Sequence, residues 1–384
     1  MAVNDSRNES LEPLRGKRVF VTGHTGFKGS WLVMLLHRLE AHVTGYSLAP
    51  PTTPSLFEAA RVRELVADHH EADIRDPARL AKAVAATRPD VVMHLAAQPL
   101  VRLSHRDPLE TFSTNVVGTA SVLDAVRGLK SPCSVIVVTS DKCYEPHDDG
   151  HPHGEADSMG GRDPYSASKG AAELVAASYR RSYFPPERLD EHGVQLATVR
   201  AGNVIGGGDW AEDRIVTDIV RHLVAGKPVP VRHPEAIRPW QHVLEPLSGY
   251  LTLAEAMLAS PDPRWCGGWN FGPSHGDDVT VREFTEIFIA AWGQGRWEDA
   301  RDPRGLLETH VLRLAIDKAV ASLPWRPRLD AREAIRRTAS WFKVFRSDPA
   351  SARVLCEADI AAYADAISLP MRCSHDTSAA DVRL

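Results

Sequence analysis

The chain has 384 residues, 45 Lys plus Arg against 50 Asp plus Glu, a formal net charge of −5, 43% hydrophobic and 7% aromatic residues. These values describe a globular chain of one large α/β unit or two domains, and the slight acidity excludes a basic nucleic-acid surface or a polybasic membrane patch. The five cysteines (Cys133, Cys143, Cys266, Cys356 and Cys373) are scattered with no C-x-x-C spacing, which suits reduced thiols and a cytoplasmic protein better than a disulfide framework or a zinc site.

In chain order, residues 1–15 read as a polar tail with no apolar secretory segment. Arg18–Thr22 is a β-branched run of the kind that forms a buried parallel strand. A helix is predicted from Phe27 to Leu39, and a strand from Ala41 to Tyr46. Helices follow at Pro77–Ala86, Leu109–Leu129 and Tyr165–Tyr183. Strands are predicted at Asp90–His94, Cys133–Val138 and Val194–Val199. This alternation, at roughly 20–30-residue intervals, predicts an α/β fold with a doubly wound parallel sheet. From Ala201 the texture turns glycine- and proline-rich, which predicts a smaller second lobe over the carboxyl edge of the sheet. The boundaries so drawn are a tail at 1–15, a dinucleotide-binding unit at 16–200, a mainly substrate-binding lobe at 201–345 that partly returns to the first unit, and an extension of unassigned role at 346–384. Within the lobe, Arg332–Phe345 is a last amphipathic helix. No run of about 18 apolar residues suggests a membrane span.

The first strand runs into Thr22-Gly23-His24-Thr25-Gly26-Phe27-Lys28-Gly29, a G-x-x-G-x-x-G loop between a strand and a helix. The first glycine permits the tight turn, the second lets backbone approach a pyrophosphate, and the third allows close packing of helix on strand. The helix N-terminus then offers free N–H groups to the phosphates. No Asp or Glu ends the second strand (Gly45-Tyr46-Ser47-Leu48), and no Arg stands beside Ser47. The residues therefore leave NAD and NADP open. Asp73 and Ile74 are placed to touch the adenine, with a solvated loop acid as the alternative.

Tyr165 and Lys169 stand at i and i+4 of a helix, on one face. A phenol with pKa near 10 needs help to act as a base, and a neighbouring ammonium lowers that pKa. Such a tyrosine removes a hydroxyl proton while hydride leaves for a nicotinamide. The preceding strand ends at Ser140-Asp141-Lys142, at the active edge of this kind of sheet. Ser140 is placed to hydrogen-bond the reacting hydroxyl. Asp141 and Lys142 form an acid–base pair beyond the needs of simple hydride transfer, or else an ion pair in a surface turn.

These motifs resemble the extended short-chain dehydrogenase/reductase family in its nucleotide-sugar branch, and within it the 4,6-dehydratases of CDP-sugars. The resemblance runs from Gly16 to Phe345. It is carried by VTGHTGFKGSWL (21–32), TSDKCYE (139–145), GGRDPYSASKGAAELV (160–175), RAGNVIGGGDWAEDRIVTD (200–218) and IRPWQHVLEPLSGYL (237–251). Lys142, where dTDP-sugar dehydratases typically carry Glu, is the CDP-sugar pattern. The resemblance implies a Rossmann-type sheet, bound NAD, and a CDP-glucose substrate dehydrated through transient oxidation at C4. Tyr165, Lys169 and Ser140 would act at C4, Asp141 as acid at C6 and Lys142 at C5. The implied cofactor set is Gly23, Thr25, Gly26, Phe27, Lys28, Gly29, Asp73, Ile74, Leu95, Ala96 and Ala97, with Tyr165 and Lys169. The implied substrate set is Gln98, Asn203, Arg214, Arg238, Trp240 and His242, with Arg238 on the diphosphate. Asn115 would tie adjacent strands together. By the same analogy, Leu109–Leu129 and Tyr165–Tyr183 would pair across a homo-oligomer, a dimer or tetramer. Other nucleotide sugars, 4-epimerisation, or a silent nucleotide-sugar sensor are the competing readings. The sensor would be expected to lose Tyr165, Lys169 or Asp141.

His147, His151, His153 and Glu155 superficially resemble a metal cluster, but the intervening proline and glycines break the regular helical spacing of many zinc sites. The expectation is a loop without metal. The free cysteines read as inert small hydrophobes, although Cys143 stands close enough to the site to be reactive.

Overall fold

The structure is a computed structural model that describes residues 12–147, 150–301 and 312–365. Six strands, β1 (Arg18–Thr22), β2 (His42–Ser47), β3 (Asp68–Glu71), β4 (Val91–His94), β5 (Cys133–Val138) and β6 (Val194–Arg200), are joined by a seventh at Gly267–Asn270. They form one sheet in the order Gly267–Asn270, β6, β5, β4, β1, β2, β3, and every pairing is parallel. This is the doubly wound order expected from the sequence. All residues of β4, β5 and β6 are buried, because helices cover both faces of a parallel sheet. One face packs residues such as Leu80, Val122 and Ala176. The other packs α1 (Phe27–Arg38) and the Leu244–Ala259 helix.

The helix expected over 109–129 is a continuous helical run from Pro108 to Arg127, with a π turn at Ser113–Val117. The extra residue of that turn re-aims Asn115, a common use of π turns at functional sites. Asn115 Nδ2 donates to the Gln98 carbonyl (3.1 Å) and to Ser168 Oγ (2.8 Å), while its Oδ1 accepts from Gln98 N (2.8 Å). It thus joins the loop after β4 to the Pro164–Ser182 helix, not one strand to another.

Beyond β6 the chain forms short two-stranded ladders, Val204–Ile205 with Gln241–His242 and Ile237–Arg238 with Val279–Thr280. Two expectations about the ends change. Leu14 is fully buried, so residues 12–15 belong to the fold; residues 1–11 lie outside the described residues. The stretch from 346 continues as a helix at Ala352–Asp365. It docks on the core through Tyr363, whose hydroxyl lies 2.9 Å from Glu245 Oε2 and 3.0 Å from Ser248 Oγ. Residues 366–384 lie outside the described residues. No described helix is long and apolar enough to cross a membrane.

Candidate active site

β1 delivers the glycine loop to the carboxyl edge of the sheet. Gly23 has φ +76°, and a Cβ there would stand 2.6 Å from Ala96 N and 2.8 Å from Ala96 Cα. Only glycine lets this loop close on the Leu95–Ala97 segment. A Cβ on Gly29 would collide with the carbonyl of Gly23 and with His24 Cα, which holds the helix tight against the strand. At Gly26 the nearest heavy atom to a Cβ would be the Gly23 carbonyl oxygen at 3.4 Å, so this face is open to a ligand. Gly26 caps α1 with no side-chain hydrogen bond, leaving the first N–H groups to an anion. Thr25 Oγ1 bonds to Ser47 Oγ (2.8 Å) and donates to the Leu48 carbonyl (2.9 Å), which fixes the loop on β2. This cradle fits the pyrophosphate of a dinucleotide. Ile74 is buried, and Asp73 is bound to Arg75, with Arg75 Nε 3.0 Å from each carboxylate oxygen. The hydrogen bonds from Arg75 hold the Asp73 carboxyl below its usual range.

β5 ends in a tight turn at Asp141–Cys143 capped by Ser140. The Pro164–Ser182 helix, capped by Asp163, brings Tyr165 and Lys169 to it. The Tyr165 hydroxyl is in hydrogen-bonding reach of Ser140. Burial pushes its pKa up, while Ser140 and the Arg214 charge oppose that rise. One helical turn on, the Lys169 ammonium donates to the Val138 carbonyl at 3.2 Å. Burial pushes the Lys169 pKa down to about 8, and burial together with repulsion from Lys169 and Arg214 does the same to Lys28. Asp141 is buried; its Oδ1 accepts from Ser140 Oγ at 3.0 Å, and its Oδ2 has no hydrogen-bond partner. Lys142 is half-buried beside it, its backbone N–H donating to Ser140 Oγ (3.2 Å).

The substrate candidates divide. Arg214 is exposed, with Nη2 donating to the Pro99 carbonyl (3.3 Å), and its charge acts on Tyr165 and Lys28. Asn203 has φ +42° and a buried, unpartnered Nδ2. Arg238 is half-buried on its short ladder, with Nη1 donating to the Ile237 carbonyl at 2.9 Å. Gln98 spends its side chain internally, Nε2 donating to Thr111 Oγ1 (2.8 Å) and Oε1 accepting from Leu100 N (2.5 Å). Trp240 and His242 are packing residues. The Trp240 ring lies 4.6 Å from that of Phe284 and its Nε1 donates to the Val279 carbonyl (3.2 Å). His242 is fully buried, with its ring edge-on to Trp31, and burial pushes its pKa down to about 3. Cys143 is also fully buried; burial raises its thiol well above the ordinary range, so it is inert.

Several residues of the site escape sequence reasoning. Glu173 and Arg200 form a buried bidentate pair, with Nε and Nη2 each 2.8 Å from a carboxylate oxygen. Thr139 and Thr198 also donate to Glu173. The pair bolts the Tyr165 helix to β6. Neither charge carries a signal of its own, because Glu173 shares its helix with Lys169, Arg180 and Arg181 and Arg200 ends a strand that also holds Gln195 and Thr198. Gly202 makes room for Asp141: a Cβ there would overlap its carboxylate. Tyr250 is buried with its hydroxyl unpartnered, close enough for Asp141 and Tyr165 to raise its pKa further after burial.

Residues 19–265 match the model of the NAD dependent epimerase/dehydratase family, and the chain belongs to that family. It is 47% identical over 334 residues to a CDP-glucose 4,6-dehydratase of Salmonella typhimurium, covering 86% of this chain and 92% of that protein. It is 31% identical over 335 residues to a dTDP-glucose 4,6-dehydratase of Streptomyces antibioticus, covering 85% and 92%. The structure of a Thermus thermophilus UDP-glucose 4-epimerase in complex with NAD is similar at TM-score 0.69 and 26% identity, covering 85% of this chain and 99% of that one.

Proposed function

We propose that the chain is a hydro-lyase that converts CDP-glucose to CDP-4-keto-6-deoxyglucose, a step of deoxysugar biosynthesis, with bound NAD. The observation that carries this reading is the Asp141 carboxylate: buried, with Oδ2 unpartnered, beside the Ser140–Tyr165 pair. A 4-epimerase needs a tyrosine base but no acid for a C6 hydroxyl. The likeness to the Salmonella enzyme supports the cytidine nucleotide and glucose. When bound, NAD supplies the redox chemistry, taking hydride from C4 and returning it at C6, so none is consumed.

The chain's own residues supply the rest. Tyr165, as phenolate, takes the C4 hydroxyl proton, with the single Ser140 hydroxyl proton turned from Asp141 to the C4 oxygen. Lys169 and Arg214 add positive charge that favours the phenolate. The C4 ketone acidifies the C5 proton, which Lys142 removes and later returns. Asp141, entering the step as the carboxylic acid, protonates the departing C6 hydroxyl, which leaves as water; the proton that Tyr165 took from C4 replaces it, so the cycle balances. Asn203, Arg214 and Arg238 are assigned to the nucleotide sugar, and a guanidinium suits its diphosphate. The loop Gly23–Gly29 and residues Asp73, Ile74 and Leu95–Ala97 are assigned to the cofactor.

The protein should be incubated with CDP-glucose, dTDP-glucose, UDP-glucose and GDP-mannose, with water loss followed by mass spectrometry. Dehydration of CDP-glucose in preference to the others is the expected result. A C4-epimerised product without mass loss, or turnover of another nucleotide alone, overturns the reading.

The exposed side chains of Leu109, Val117 and Leu174 on the Pro108–Arg127 and Pro164–Ser182 helices support a homo-oligomer paired through those helices. The free thiols Cys133, Cys143, Cys266 and Cys356 support a cytoplasmic location.

A further inference from the structure

The loop between Tyr144 and Pro164 carries histidines that the dehydration chemistry does not use. The fold brings three of its side chains together: donor atoms of His147, His153 and Asp157 lie within 4.8 Å of one another. Asp157 Oδ2 is 3.3 Å from His153 Nδ1 and 4.0 Å from His147 Nε2. In a tetrahedral zinc site with bonds of about 2.0–2.2 Å, neighbouring donors stand roughly 3.3 Å apart. One edge of the triangle already has that length, a second needs a contraction of less than about 1 Å, and the third, between the two imidazoles, lies within 4.8 Å. His153 is 3% exposed, and its Nδ1 has no properly aligned hydrogen bond despite its closeness to the carboxylate. A histidine nitrogen and a carboxylate oxygen 3.3 Å apart without an aligned hydrogen bond are spaced so that a common third atom can bridge them.

The His153 ligand is held in advance. Its ring stacks on Tyr144 at 4.7 Å and 4°. The Tyr144 hydroxyl donates to Asn270 Oδ1 (2.7 Å) and accepts from Arg200 Nη1 (2.6 Å). The backbone of His153 donates to the Arg313 carbonyl and accepts from Ala315 N and Asn270 Nδ2, each at 2.9 Å. Asp157 Oδ2 is steadied by Gly154 N at 3.1 Å. His153, fixed against Tyr144 and Asn270, thus stands as a rigid ligand beside His147 and Asp157 of the same loop, the kind of support that metal sites require.

We propose that His147, His153 and Asp157 bind a divalent transition-metal ion of the zinc class, which staples this loop to the wall formed by Tyr144 and Asn270. Two imidazoles and one carboxylate suit zinc and its neighbours, whereas magnesium and calcium prefer all-oxygen sites. Because Tyr144 directly follows the Asp141–Cys143 turn, the staple would sit beside the strand end that carries the acid–base pair.

The test uses the full-length chain without an affinity tag, stripped by chelation and titrated calorimetrically with Zn²⁺. Co²⁺ serves as a spectroscopic probe and Mg²⁺ as the hard-ion control. One Zn²⁺ per chain, a higher melting temperature and tetrahedral Co²⁺ bands are expected, with no comparable response to Mg²⁺. Asp157→Asn and His147→Gln should each weaken Zn²⁺ by more than the roughly 10–100-fold that outer-shell changes cost. His153→Ala should abolish binding; if that variant fails to fold, the two more exposed positions still decide. Equal Zn²⁺ uptake by the variants, which would place the ion elsewhere (for instance at the His24–His69 pair), overturns the proposal. So does the absence of binding.

Discussion

Asp141→Asn separates oxidation from dehydration. Asparagine matches aspartate in size, so the Oδ1 acceptor that Ser140 contacts at 3.0 Å remains and the fit against Gly202 persists. What is lost is the proton that Oδ2 delivers to the C6 hydroxyl. A positioned general acid is worth about 10²–10⁴-fold, or about 2.7–5.4 kcal/mol at about 1.36 kcal/mol per tenfold. The melting temperature should hardly move, because the change removes a buried carboxylate with one unpartnered oxygen and adds no volume. Rapid mixing of the variant, loaded with NAD, with CDP-glucose should show the ultraviolet band of reduced nicotinamide building up, since Tyr165 and Ser140 are intact. Mass spectrometry of the sugar should show water loss slowed by that factor. Dehydration within about tenfold of the unmodified protein would sink the assignment of Asp141. So would a folded variant that neither oxidises C4 nor dehydrates, because the block would then precede the step given to Asp141.

Four further outcomes follow from the same geometry. Gly202→Ala should lower kcat at least about tenfold and cost about 1–3 kcal/mol of stability, because its Cβ would overlap the Asp141 carboxylate; unchanged steady-state rates would show that the carboxylate is placed otherwise. Lys169 acts as an ammonium with its pKa pushed down to about 8, so activity should fall above that pH. Lys169→Arg should move the alkaline limb upward, whatever its effect on the maximum, since a guanidinium stays charged; a limb that stays put belongs to another group, such as Lys28. Burial raises the Glu255 carboxyl to about 8 in the fold, above its unfolded value, so the folded state holds the extra proton and stability is lost progressively as pH rises from the ordinary carboxyl range to about 8. Glu255→Gln should flatten that loss, on the order of a few kcal/mol, in melting temperatures taken across the window. Leu174→Asp, on the exposed face of the Pro164–Ser182 helix, should halve the mass seen by light scattering; an unchanged oligomer would remove that helix from the interface.

The parts of the site legible in the sequence are those with local causes. An unbroken apolar run such as β5 has few places to go except the middle of a parallel sheet, and a G-x-x-G-x-x-G loop after a strand has one well-known use. Helical spacing placed Tyr165 and Lys169 on one face. It did not say that the Lys169 ammonium would reach the Val138 carbonyl, because that partner is 31 residues away and set by how the helix docks. Glu173 and Arg200 were invisible for the same reason: each looks like an isolated charge until the fold joins them. The π turn at Ser113–Val117 leaves no mark in an amphipathic pattern that stays helical throughout. Trp240 and His242 lie in a polar-looking string, yet the short ladders turn both inward, where burial decides their chemistry.

Net charge gives the wrong sign for this site. The chain carries −5, and a nucleotide diphosphate is an anion. Where the glycine loop meets the ends of β5 and the Tyr165 helix, however, Lys169 and Arg214 repel Lys28 while Asp141 attracts it, and Glu173 acts on Lys169. Burial has already pushed both lysines down to about 8, and the repulsion among the cations adds to it for Lys28. Cations held this close together are costly on their own, and the cost is relieved by an anion of matching charge. The diphosphate of the substrate and the pyrophosphate of the cofactor are such anions. We expect Lys28 and Arg214 to meet those anions, so that recognition follows the local charge at the site and not the acidic balance of the whole chain.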